Sequence, residues 1–166
     1  MKKNLLLRHI MLMMLIIFTM TACNNSNKTK PDTVVNIPSA ATSKDIQKEL
    51  SATPSSSEEN ASSGISAETY DSLDFAGYKG KISFYYDKNG SVIYYKWFLT
   101  EADENKAKEI YQNVCEALKA SYGKGEESNS AASNMYTTTF TNEKQQIVAQ
   151  LQGGDNGYEI SYMVVG

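Results

Sequence analysis

Histidine and arginine are almost missing from this sequence. The single histidine, His9, and the single arginine, Arg8, both lie within the first 23 of 166 residues, set against 15 lysines. After residue 23 there is no imidazole and no guanidinium. That excludes Ser-His-Asp and Cys-His nucleophiles, histidine-ligated metals and bidentate arginine clamps on phosphate or guanine. Thiols are as scarce, with only Cys23 and Cys115. Aromatic residues are absent from 24–69: of 17 Phe, Tyr and Trp residues, 16 fall between Tyr70 and the C-terminus, and the other is Phe18. A membrane-spanning helix needs about 20 apolar residues. The run from Ile10 to Phe18 supplies nine.

That run has another use. Residues 1–23 read MKKNLLLRHIMLMMLIIFTMTAC, in which Lys2, Lys3 and Arg8 precede a short apolar core, the pattern of an export signal. The segment closes on Met20-Thr21-Ala22-Cys23, and with small residues ahead of a cysteine it resembles the lipobox of bacterial lipoproteins. The resemblance covers these 23 residues only. It implies that residues 1–22 are a removable signal peptide. It also implies that Cys23 becomes the N-terminus and carries a diacylglyceryl group and a further acyl chain such as palmitate. Several acyl chains, each contributing about 0.8 kcal/mol per buried methylene, hold a protein stably at a bilayer. The expected location is the extracytoplasmic face of the cell membrane.

Residues 23–69 read as the lipidated cysteine followed by a disordered tether. The stretch from 24 to 69 holds all three prolines and ten serines, too little apolar surface to offset the entropy of ordering. Within it Ser43–Leu50 has helical character with Ser43 as N-cap, yet eight residues are too few for a stable helix in water. Residues 70–166 are long enough for one domain with one core. They carry 9 lysines against 13 acidic residues, and this mild acidity argues against nucleic acid as a partner. No internal repeat stands out.

The domain reads as α+β: a small antiparallel sheet of about five strands in the order ββαβββ, with one helix packed on one face and the other face open. Lys79–Thr100 alternates on both sides of Asp87-Lys88-Asn89-Gly90, and Asn-Gly predicts a two-residue hairpin turn. That register places Ile82, Phe84 and Tyr86 on the core face with Ile93, Tyr95, Trp97 and Leu99. Lys81, Ser83, Tyr85, Val92, Tyr94, Lys96 and Phe98 fall on the other, with Tyr85 directly opposite Tyr94. Thr100 and Asp103 form a capping-box pattern ahead of a helix with Ala107, Ile110, Tyr111, Val114, Cys115, Leu118 and Tyr122 on its buried side, ending at Gly123. Strands are expected over 135–141, 146–152 and 158–165, with Tyr136, Thr138, Phe140, Ile147, Ala149, Leu151, Tyr158, Ile160, Tyr162 and Val164 toward the core.

Few residues offer chemistry. Cys115 has no histidine to activate it and reads as a small apolar core residue. Glu101, Asp103 and Glu104 suit the positive end of a helix dipole as well as they suit a cation. Asp87–Gly90 and Asp155–Gly157 lack the alternating acids and closing glutamate of a calcium loop and read as turns. No cofactor or metal is expected. The candidate binding face is Tyr85, Tyr94, Lys96 and Phe98, since tyrosines give large contact area at low entropic cost and suit an envelope protein or glycan. The expected function is a membrane-anchored, non-catalytic binding module. The alternatives are a small envelope enzyme using carboxylate, lysine or tyrosine groups, or an inhibitor or accessory domain for another envelope protein.

Overall fold

The computed structural model describes residues 37–38, 40–60, 63–130, 134–141 and 145–165. The signal peptide, Cys23 and the tether up to residue 36 lie outside the described residues. A helix, α1 (Ser43–Leu50), precedes four strands: β1 (Ser56–Asn60), β2 (Ile65–Phe75), β3 (Tyr78–Tyr86) and β4 (Val92–Glu101). A second helix, α2 (Glu104–Tyr122), precedes four more: β5 (Glu126–Ser130), β6 (Met135–Thr141), β7 (Gln146–Gly154) and β8 (Gly157–Val165). All eight strands join one antiparallel sheet in the order β1-β2-β3-β4-β8-β7-β6-β5.

The expected five-stranded ββαβββ sheet with one helix is therefore corrected, among the described residues, to eight strands and two helices. The chain folds as a helix plus a four-stranded meander, twice over, with β4 and β8 meeting at the centre. This is a structural repeat that the residues themselves do not display. The extra elements come largely from the stretch read as tether: α1, β1 and the start of β2 are built from residues 43–69. β1 (SSEEN) and β5 (EESNS) contain no apolar residue, and every residue of β1 is exposed. They are the two edges of the sheet, where glutamates deter pairing with another chain. In β2 a shift of pairing between Tyr70 and Leu73 breaks the alternation. The β2–β3 turn, Ala76-Gly77, has positive φ at both residues (51° and 79°), without the asparagine that usually announces such a turn.

The β3–β4 hairpin has the expected register by an unexpected route. Asp87 and Ser91 close a three-residue loop in which Gly90 takes φ +79°, with Gly90 donating to the Asp87 carbonyl at 2.9 Å. An odd loop would offset the pairing by one residue, but a bulge at Ile93 restores it, so Tyr85 faces Tyr94. The bulge has a cost to the sequence reading. Val92, 8% exposed, enters the core, whereas Ile93 is 37% exposed.

Both helices lie on the same side of the sheet. Ala107, Ile110, Val114 and Leu118 of α2 are buried against it, and Ile46 of α1, with Ile37 and Ala41, joins the same core. The α2 N-cap is Asp103, accepting from the Lys106 amide at 2.8 Å; β4 runs on to Glu101 and so takes Thr100 into the strand. Likewise the α1 cap is Thr42, whose amide and hydroxyl donate to Asp45, rather than Ser43. At the centre Trp97 stacks on Tyr162 with ring centroids 5.7 Å apart, and its Nε1 donates to the Leu73 carbonyl at 2.9 Å. Of the ten residues expected inward on β6–β8, eight are buried and Tyr136 and Tyr158 are partly so.

Candidate functional site

With both helices on one face, alternation sends the other set of side chains outward. Tyr85 and Tyr94 stack at 4.2 Å with their planes 17° apart. Tyr94, Lys96 and Phe98 follow one another on the outer side of β4, so the four residues singled out above share one surface. Lys96 Nζ lies 2.5 Å from Glu159 Oε1 on β8 and 5.6 Å from the centroid of the Phe98 ring. Burial, then the neighbouring Tyr85 phenol, pushes the Tyr94 hydroxyl above its ordinary pKa. Beneath these large groups the floor is hydroxylic. Ser83 and Ser161 are only 4% and 2% exposed although they point outward, and Ser83 pairs with Thr69 at 2.7 Å.

The other half of the face, on β5–β7, carries Glu126 at the edge, opposite Thr139, and is otherwise made of neutral side chains among the described residues. Thr137 faces Gln150, which faces Ser161, and Thr139 faces Val148, which faces Met163. They are the positions that alternate with the core-facing residues of β6–β8. Val92 was expected on the open face and is not here, because of the bulge. Glu159, which cancels the charge of Lys96, was missed, although its alternation with Tyr158 and Ile160 carries the signal.

The remaining candidates do not converge. Cys115 is partly buried on α2; burial pushes its thiol up, and hydrogen bonds from Thr138 and Tyr111 only oppose that. A raised thiol is a poor nucleophile. Glu101 and Glu104 are each held 2.6 Å from a lysine, Lys106 and Lys108, which keeps both carboxyls below their ordinary range, while Asp103 is spent on the helix cap. Asp87 Oδ1 accepts from the amides of Asn89 and Ser91, both at 2.9 Å, and so closes its own turn. Asp155 and Asn156 are the two-residue link between β7 and β8. Among the described residues no group of three or more His, Cys, Asp or Glu could hold a metal.

One polar cluster was not foreseen. On the helix side of the sheet, Glu68 accepts hydrogen bonds from Ser43 Oγ at 2.8 Å, Tyr86 Oη at 2.8 Å and Tyr70 Oη at 3.2 Å. Burial first, and then the Glu68 carboxylate, push both phenols well above their ordinary pKa. The Ser43 bond ties α1 to the sheet, which makes the cluster a fastening.

Among the described residues no helix is long and apolar enough to cross a membrane. Comparison with protein-family models, curated proteins and solved structures finds no match to this chain.

Proposed function

We propose that the protein is a lipoprotein, held through Cys23 at the extracytoplasmic face of the cell membrane, and that its domain binds an envelope protein without catalysis. The observation that carries this reading is the uncovered face of an eight-stranded sheet, centred on the stacked Tyr85–Tyr94 pair and Phe98, with Lys81 paired to Asp71 and Lys96 to Glu159. Strands lie about 4.8 Å apart and rise about 3.3 Å per residue, so eight strands of this length offer roughly 1,000 Å². A standard interface needs about 800 Å² per partner. Aromatic groups on a rigid sheet suit that role, because they lose little freedom on contact.

The anchor restricts where the partner can be. Residues 24–36 separate Cys23 from Ile37, and a chain of that length reaches at most about 50 Å from the lipidated cysteine. The partner therefore presents its surface close to the membrane. A photocrosslinking amino acid at Tyr94 tests the reading in intact cells, with the same residue at Ala120, exposed on α2, as the control. The expected result is an adduct with one envelope protein at Tyr94 and none at Ala120. Equal adducts at both positions, or none at Tyr94, would remove the proposal.

A further inference from the structure

Beside Phe98 the open face drops into a cavity of about 580 Å³ walled by Asp71, Ser72, Lys79, Lys81, Phe98 and Thr100. It exists because β2 parts from β3 there: the pairing shifts between Tyr70 and Leu73, and Ser72 takes φ +62°. A bulge of this kind bends its strand and leaves the ladder locally open. The charge of the cavity differs from that of the molecule. Lys81 is 3.1 Å from Asp71, and Lys96 on the same face is bound to Glu159, but among the described residues Lys79 makes no ion pair. The walls carry two lysines against one aspartate in a chain of net charge −3. A cavity at α1, lined by Asp45, Lys48 and Glu49, has the opposite excess. So does one between α2 and β5, lined by Lys108, Glu116 and Glu127.

Asp74 stands opposite Lys79 in the ladder but makes no ion pair with it, and an ammonium left out of contact beside a phenyl wall in a partly enclosed space favours an anion carried on an apolar stem. The attraction strengthens as water is displaced, and the ring adds contact area. We infer that this cavity is the anchor pocket of the open face and takes the carboxylate of an acidic residue flanked by apolar residues in the partner protein. The inference rests on the reading of that face as the binding surface for an envelope protein. Lys79 supplies the cation, the hydroxyls of Ser72 and Thr100 can donate to the carboxylate, and Phe98 covers the flanking apolar side chain.

The test uses the full chain, ¹⁵N-labelled in detergent micelles, titrated with acetyl-Phe-Glu-Phe-amide and with its uncharged counterpart acetyl-Phe-Gln-Phe-amide. The glutamate peptide is expected to shift the amide signals of Ser72, Lys79, Lys81, Phe98 and Thr100. It should also bind about fivefold more tightly than the glutamine peptide, the scale of one partly exposed ion pair. Lys79→Gln should abolish that preference and Lys79→Arg should keep it, both with wild-type Trp97 fluorescence as the check on folding. Equal affinity for the two peptides, or shifts centred elsewhere, overturns the pocket. Loss of the peptide preference with the Tyr94 crosslink intact removes the pocket alone. Loss of the crosslink with the preference intact removes the partner reading.

Discussion

Replacing Gly80 by alanine gives a direct measure of how tightly the centre of this sheet is built. A Cβ on Gly80 would lie 2.4 Å from Cε2 of Trp97 and 2.6 Å from its Cζ2 and Nε1, far inside van der Waals contact. The indole has nowhere to retreat. It is 0% exposed, stacked against Tyr162, tilted against Phe75 at 5.7 Å and hydrogen-bonded to Leu73. Overpacking of a filled core costs about 1–3 kcal/mol, and a displaced indole forfeits a hydrogen bond of about 1 kcal/mol. The expected destabilisation is thus about 3 kcal/mol, which for a domain of this size lowers the melting midpoint by roughly 10 °C. Trp97 is the only tryptophan, so its emission reports from the site of the clash while circular dichroism follows the whole sheet. Gly154→Ala is the matched control, since a Cβ there meets nothing nearer than a carbonyl oxygen at 3.9 Å. A Gly80→Ala midpoint within about 2 °C of wild type, with unchanged emission, would refute the packing argument.

Two further substitutions test other parts of the account. The Tyr162 hydroxyl is buried without a hydrogen-bond partner among the described residues, so Tyr162→Phe should stabilise the fold by about 1 kcal/mol in a denaturant titration; a loss of that size would show that the hydroxyl is satisfied, as by an internal water. Cys23→Ala should abolish incorporation of a fatty-acid analogue and release the protein from membranes, and unchanged retention in a fractionation assay would sink the lipid anchor.

What the sequence discloses follows from how much of each strand is buried. In β6, β7 and β8 every second residue meets α2 or its neighbours, so Phe140, Ile147, Leu151, Ile160 and Val164 spell out the alternation. β1 and β5 have no neighbour on one side and little above them. Their glutamates and serines are selected for staying apart from other chains, and hydrophobic patterning has nothing to report. β2 lies between these cases: Tyr70 and Phe75 are buried, but the bulge at Ser72 removes the regular spacing between them. The same bulge opens the cavity beside Phe98, which is why the Tyr85–Tyr94 pair was legible and the pocket next to it was not.

The helix α1 makes the complementary point. Eight residues beginning at Ser43 cannot hold a helix in water, and that estimate stands for the isolated segment. Here the segment is not isolated. Ile46 is fully buried, the Val92 amide donates to the Ala41 carbonyl at 3.0 Å, and Ser43 donates to Glu68. The nearer of these partners, Glu68, lies 18 residues beyond the end of α1 and Val92 lies further still, so no local window could weigh them. The consequence reaches the proposed binding surface. Because α1 joins α2 on one side, the apolar residues of β2 and β3 are covered there, and the opposite face keeps its tyrosines, Phe98 and paired lysines uncovered. The openness of that face is therefore set by residues 37–50, a stretch whose own composition gives no sign of it.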